Sequence, residues 1–149
     1  MPAAAADYPT RPVHIIVGYP AGGSTDIVAR IIGNWLGVKL GQQFIVENRP
    51  GAGNNIGTEA VVKAAPDGYT MLLVNSANTI NASLYKKLNF NFLKDIDPVA
   101  ALKDTSMQAK LKDLGGIVVA GSPEDFGKYL AAETAKWEKV VHAAKLLVE

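Results

Sequence analysis

The run Val13-His14-Ile15-Ile16-Val17 passes into Gly18-Tyr19-Pro20-Ala21-Gly22-Gly23 and then straight into Ser24-Thr25-Asp26. The first five residues are nearly all apolar and rich in β-branched side chains. They do not alternate with polar ones, which suits a strand buried on both faces of a parallel sheet. Pro20, Gly22 and Gly23 end the strand, and Ser24 or Thr25 is placed to cap a helix. Ile27, Val28, Ile31, Ile32, Trp35 and Leu36 follow at helical spacing. A strand, a glycine turn and a helix start in that order leave several backbone N–H groups free at one point, a place suited to an anion.

The same motif recurs. Gly41 supplies a helix stop, and Gln43 to Glu47 reads as a second strand. Asn48-Arg49-Pro50-Gly51-Ala52-Gly53-Asn54-Asn55-Ile56-Gly57-Thr58 is a second glycine turn. It opens a helix that carries Ile56, Ala60, Val61, Ala64 and Ala65 and stops at Pro66. Asp67-Gly68 turns the chain into a third strand, Tyr69 to Val74. This βαβαβ order predicts an α/β fold with a single doubly wound, mainly parallel sheet of flavodoxin-like type. Asn75-Ser76-Ala77-Asn78-Thr79 reads as a loop at the third strand's end, Ile80 to Leu88 as a short helix, and Val99 as the neighbourhood of a fourth strand. Thr105 to Leu114 is a further helical stretch closed by Gly115-Gly116, and Ile117-Val118-Val119 a short strand. Ser122-Pro123-Glu124-Asp125 is a helix start, with a capping Ser, Pro at the first position and acids in the first turn. The apolar positions Phe126, Leu130, Trp137, Val140, Val141 and Ala144 then predict a long terminal helix lying along the sheet or another helix.

Composition removes several functions. With 15 basic and 14 acidic residues in 149, and no basic run, nucleic acid is not an expected partner. The absence of cysteine excludes thiol catalysis, disulfides and thiolate metal sites, and His14 and His142 are too few and too far apart for a metal. His14, inside the strand, reads as a hydrogen-bonded structural residue. No run approaches the ~18 apolar residues of a membrane span, and no intact signal peptide is read in Met1-Pro2-Ala3-Ala4-Ala5-Ala6. The chain as written would then be cytoplasmic.

Neither glycine turn is a nucleotide fingerprint. Gly18 to Gly23 is not G-x-G-x-x-G, no G-K-[ST] occurs, and Gly51-Ala52-Gly53 with Gly57 is a partial match only. Ser24, Ser76 and Ser83 have no histidine placed to activate them, so no enzyme is expected. Asp26 and Glu59 read as first-turn acids that complement a helix dipole.

Five ordered motifs carry a resemblance: Tyr19 to Asp26, Glu47 to Gly53, Asn55-Ile56-Gly57, Pro66-Asp67-Gly68-Tyr69-Thr70 and Asn81-Ala82-Ser83-Leu84-Tyr85. Together with Tyr8 to Val13 and Phe92 to Ala100 they resemble the Bug (TctC-like) substrate-binding proteins, the periplasmic receptors of tripartite tricarboxylate transporters. Met107 to Gly115, Ser122 to Phe126 and Lys136 to Val141 resemble the extreme C-terminal part of such receptors. The resemblance implies that residues of about 8–100 and about 101–149 form one lobe of a two-lobed receptor, the second lobe being deleted near Ala100 to Thr105.

The resemblance also implies a small-molecule carboxylate as ligand, with no cofactor and no metal. Tyr19, Ala21, Gly22, Gly23 and Asp26, then Gly51, Ala52, Gly53 and Asn55, with Ser76 and Asn78, would form its half-site, binding small (di)carboxylates weakly. Asn54-Asn55 stands where a glycine often occurs in the family, and Asn78 where a histidine is common. For a full-length parent the resemblance implies a periplasmic location and membrane transporter subunits as partners. A nucleotide- or flavin-binding α/β protein, and a lobe that folds or dimerises without a ligand, stay open as alternatives.

Overall fold

The computed structural model describes residues 8–97, 99, 105–113 and 122–148. Three parallel strands form the sheet: β1 (Val13–Val17) at the centre, β2 (Phe44–Asn48) on one side and β3 (Thr70–Leu72) on the other. Val13 pairs with Phe44 and Val17 with Asn48, while His14 to Ile16 pair with Thr70 to Leu72. Helix α1 (Ser24–Leu40) crosses from β1 to β2, and a single 3-10 turn (Ala52–Asn54) leads into α2 (Asn55–Val62), which returns past β1 to β3. Right-handed crossovers in opposite directions put these two helices on opposite faces. α3 (Ser76–Leu84), α4 (Thr105–Asp113) and α5 (Pro123–Ala144) complete the described residues.

β1 is buried as its composition requires. Val13, Ile15, Ile16 and Val17 are all at most 4% exposed, and each buried aliphatic side chain of this kind contributes roughly 1.5–3 kcal/mol. His14 departs from the fully buried reading: it is half-exposed and its Nδ1 lies 2.5 Å from Glu47 Oε1 on the neighbouring strand. Ile15 and Val17 pack on Ala29 of α1, with Tyr19, Phe44, Val46 and Leu73 around them.

The helices turn a different face inward from the one the apolar spacing predicts. In α1 the buried residues are Asp26, Ala29 and Gly33, while Ile27 is 46% exposed. In α2 they are Asn55, Gly57 and Thr58, while Ile56 is 51% exposed. Close approach explains this. A Cβ on Gly33 would stand 3.3 Å from Ile15 Cδ1 and from Phe44 O, and one on Gly57 would stand 3.0 Å from Gly18 Cα. Small residues let the helices lie directly on the sheet.

Other expectations shift in detail. Gly41 does end α1, in the left-handed conformation. α3 begins at Ser76, not Ile80, so the stretch read as a loop is its first turn. Val99 is in no strand and 62% exposed, and the short strand read at Ile117 to Val119 lies outside the described residues. α5 begins as expected behind Ser122 and packs on α3 through Leu130 and Val141, whereas Val140 and Ala144 are exposed. At the amino ends of the strands Tyr8, Thr10 and Arg11 fasten onto the turn before β3. Tyr8 Oη donates to Gly68 O at 2.6 Å, Thr10 N donates to Tyr69 Oη at 3.0 Å, and Arg11 pairs with Asp67 at 2.9 Å while lying 3.8 Å over the Tyr69 ring.

Candidate functional site

All three strands run the same way, so the segments that follow them meet at one edge of the sheet, where open α/β sheets bind ligands. The meeting is at the level of backbone. Gly57 rests against Gly18 and against Arg49 O, and the Asn54 side chain occupies the space that a Cβ on Gly18 would need. Arg49 N donates to Val17 O at 2.8 Å, so the second loop starts in register with the end of β1.

The first loop is organised by Asp26. This carboxylate is 3% exposed, accepts from Gly22 N at 2.8 Å, from Arg30 Nε at 3.0 Å and from Asn48 Nδ2 at 2.9 Å. Arg30 first, then Gly22 and Asn48, hold its pKa down to about 2, the expected effect of donors on the ionised form. Asn48 Nδ2 also donates to Tyr19 O at 3.0 Å. Asp26 is therefore a bracket between the first loop and the end of β2, and its role exceeds that of a first-turn acid facing a dipole. Gly22 (φ 86) gives its N–H to Asp26. Gly23 and Ala21 are exposed. Gly23 occupies the N-cap position of α1 with no side chain to offer, so neither Ser24 nor Thr25 is the cap.

The second loop is wound in an unusual way. Gly51 (φ 135), Ala52 (φ 46), Gly53 (φ 61) and Asn54 (φ 84) all have positive φ. For Ala52 that conformation costs about 1–2 kcal/mol, less for Asn54 because asparagine is enriched there, and strain of this kind gathers at functional sites. Asn54 N donates to Gly51 O at 3.0 Å, while Asn81 Nδ2 donates to Gly53 O at 2.6 Å and to Asn55 Oδ1 at 2.9 Å. Asn54 is the N-cap residue of α2, yet its side chain makes no capping bond.

The third strand's end differs. Asn75 Oδ1 accepts from Ala77 N at 3.0 Å, and Asn78 Oδ1 accepts from Asn75 N at 3.0 Å, so α3 is closed by a reciprocal capping box. Asn78 is 3% exposed and bonded at both amide ends; Ser76 is exposed at the helix start, and Tyr19 Oη lies 3.4 Å from Asn75 Oδ1.

The sequence-derived residues thus fall into two groups. Ala21, Gly23, Ala52 and Gly53 are exposed and Gly51 half-buried on the first two loops, whereas Tyr19, Gly22, Asp26, Asn55 and Asn78 make hydrogen bonds that hold those loops in shape. Ser76 stands at the start of α3. Asn48, Arg30, Asn81 and Thr58 were not singled out by sequence reasoning; the one available signal was the position of Asn48 at the junction of strand and glycine turn. First-turn N–H groups of this kind can hold an anion, whereas Arg30 is engaged by Asp26 and Asn48. No group of three or more His, Asp or Glu side chains among the described residues is placed to hold a metal ion.

The family described as tripartite tricarboxylate transporter family receptor (TctC) matches residues 28–111. The chain belongs to this family. BugT of Bordetella pertussis is 40% identical over 125 residues, which are 78% of this chain and 38% of that protein. The UPF0065 protein in the gbd 5'region of Cupriavidus necator is 35% identical over 147 residues, 97% of this chain and 42% of that protein. The chain therefore spans about two fifths of these relatives' length. Among solved structures, the periplasmic binding protein BugD is 41% identical with a TM-score of 0.60, covering 62% of this chain and 31% of its own. MatC from Rhodopseudomonas palustris with bound malate is 33% identical with a TM-score of 0.59, covering 71% of this chain and 42% of its own. A further R. palustris protein, with adipate, is 34% identical with a TM-score of 0.58, covering 62% of this chain and 31% of its own. These are solute receptors of α/β fold, and theirs is not an enzyme family. No helix among the described residues is long and apolar enough to cross a membrane.

Proposed function

We propose that this chain is the first lobe of a two-lobed periplasmic receptor and supplies a half-site for one carboxylate of a small organic acid. One observation carries the reading: α1 and α2 both begin without a side-chain cap, at Gly23 and Asn54, after parallel strands that end at one edge of the sheet. The left-handed run from Gly51 to Asn54 supports it, as do the malate and adipate held by similar proteins. The backbone of Gly23, Ser24 and Gly51 to Gly53 contacts the carboxylate, while Asp26 and Asn55 keep the loops in place. In a complete receptor the other lobe contacts the rest of the molecule, and the closed pair delivers it to transporter subunits in the membrane.

Magnitudes set the affinity. Charge-assisted hydrogen bonds contribute ~1.5–3 kcal/mol each, against ~4–15 kcal/mol for immobilising a ligand. Two or three such bonds on an open surface leave a Kd of about 1 mM or weaker. Titrating malate, succinate or adipate into labelled protein should therefore shift the amide signals of Gly23, Ser24 and Gly51 to Gly53 in the millimolar range. Shifts confined to other residues would place the site elsewhere. Micromolar affinity would show that the second lobe is dispensable.

A further inference from the structure

We propose that Asn54 and Asn78 form a positioning pair that locks the second glycine loop to the start of α3 and thereby sets its placement across Gly18. The proposal rests on the reading of the two glycine loops as a carboxylate half-site. Asn54 is 1% exposed, and its Nδ2 donates to Asn78 Oδ1 at 2.9 Å. Asn78 Nδ2 donates to Thr58 Oγ1 at 2.9 Å, and Thr58 Oγ1 donates back to Asn54 O at 3.0 Å. The three residues close a buried ring that joins the starts of α2 and α3. The free end of the Asn54 amide, Oδ1, is buried without a hydrogen-bond partner and lies 1.5 Å from where a Cβ on Gly18 would be.

Neither side chain has a polar atom to offer an anion. Both ends of the Asn78 amide are used, the Asn54 Nδ2 is used, and a carbonyl oxygen facing Gly18 repels a carboxylate. Their effect on binding therefore runs through geometry. Asn54 holds a left-handed backbone (φ 84), which asparagine adopts more readily than other residues with a Cβ, and the ring to Asn78 and Thr58 supplies the tertiary hold that keeps it there. Asn54 and Asn78 thus meet in one hydrogen bond, tying together two segments that sequence separates by 24 residues.

A double-mutant cycle tests the pair in the full chain. Asn54→Gly keeps the backbone conformation available and removes only the side chain; Asn78→Ala removes the partner. Each should raise amide hydrogen exchange at Gly53 and Asn55 about tenfold and weaken malate binding about fivefold, the size of one buried hydrogen bond. Because Asn78 also bonds Asn75 N and Thr58, the double variant should go no further than Asn78→Ala alone. Unchanged exchange in Asn54→Gly, or effects that add, would overturn the pair. Should malate move no amide in the unaltered chain, the half-site reading fails, and the exchange cycle still decides the coupling. Should Asn78→Ala not fold, Thr58→Val must reproduce the faster exchange and Thr58→Ser must not; equal behaviour of these two would refute the ring.

Discussion

Among the described residues, four helices have a described start, and only two of these are closed by a side chain. α3 and α5 each carry a reciprocal capping box, from Asn75 with Asn78 and from Ser122 with Asp125. α1 and α2 have none, although Ser24 and Thr25 stand one and two residues past the N-cap of α1 and Asn54 is itself the N-cap of α2. A Ser, Asn or Asp cap is worth about 1 kcal/mol over alanine and a few tenths over glycine; α1 forgoes the smaller amount at Gly23, and at α2 the side chain of Asn54 turns to Asn78 instead of capping. Both open starts follow glycine turns at the same edge of the sheet, and that of α2 rests on Gly18. The contrast teaches that a free helix start is informative only beside closed ones in the same chain.

The largest way to break this contrast is Gly18→Ala. The new Cβ would fall 1.5 Å from Asn54 Oδ1 and 2.9 Å from Asn54 Cα, so backbone and not just a side chain must move. We expect a loss of about 3 kcal/mol or more, read by denaturant unfolding. A loss under about 1 kcal/mol would mean the two loops do not meet as described.

Next in size is the acid response of Asp26. Its pKa is about 2, lowered first by Arg30, against about 3.9 in an unfolded chain. Below the unfolded value the unfolded state binds the proton first, so the stabilisation is complete above about pH 4 and is lost as pH falls toward 2. Asp26→Asn turns an amide N–H toward the donors Gly22, Asn48 or Arg30, so the variant should be less stable at neutral pH. Its stability should also fall less steeply between pH 4 and 2, and an unchanged slope would remove Asp26 from this role. Glu47 and Glu59 are lowered in the same direction, first by Arg49 and Lys63 respectively, and add to the slope in the same sense.

The smallest effect on stability, and the sharpest on the contrast, is Gly23→Asp. Gly23 has extended backbone (φ −77, ψ 168), and a Cβ there would meet only Pro20 O at 3.7 Å. A carboxylate cap should raise stability by a few tenths of a kcal/mol over glycine while occupying the place proposed for the ligand. Thermal unfolding should move slightly upward and the malate-induced amide shifts should vanish. Retained shifts at Gly51 to Gly53 and Ser24 would show that the open start of α1 takes no part.

The β1–turn–α1 unit, the second glycine turn and the helix after Ser122 are legible because their signals are local: β-branched runs, Gly and Pro punctuation, a Ser-Pro-acid start. The inward faces of α1 and α2 are not, because periodicity counts apolar residues and these helices bury Asp26, Gly33, Gly57 and Thr58 instead. The start of α3 was displaced because its box is built from two asparagines, a composition that reads as loop. At the site, sequence points to the glycine loops, but the side chains that shape them, Asn48 with Asp26 and Asn54 with Asn78, bond across 22 and 24 residues. No local pattern marks such pairs.

The clamp of Tyr8, Thr10 and Arg11 on Asp67 to Tyr69 has a consequence for the order in which the molecule can assemble. Its two halves lie 56 to 60 residues apart. β1 leaves the ribosome before the two strands it pairs with, finds no partner until β2 follows, and its other edge stays unpaired until Tyr69 and β3 have been made. The innermost strand is thus the oldest in synthesis and among the last to be enclosed, because non-local pairing must wait for loop closure. During that interval an apolar, β-branched segment is exposed, which is the stretch a chaperone would be expected to bind.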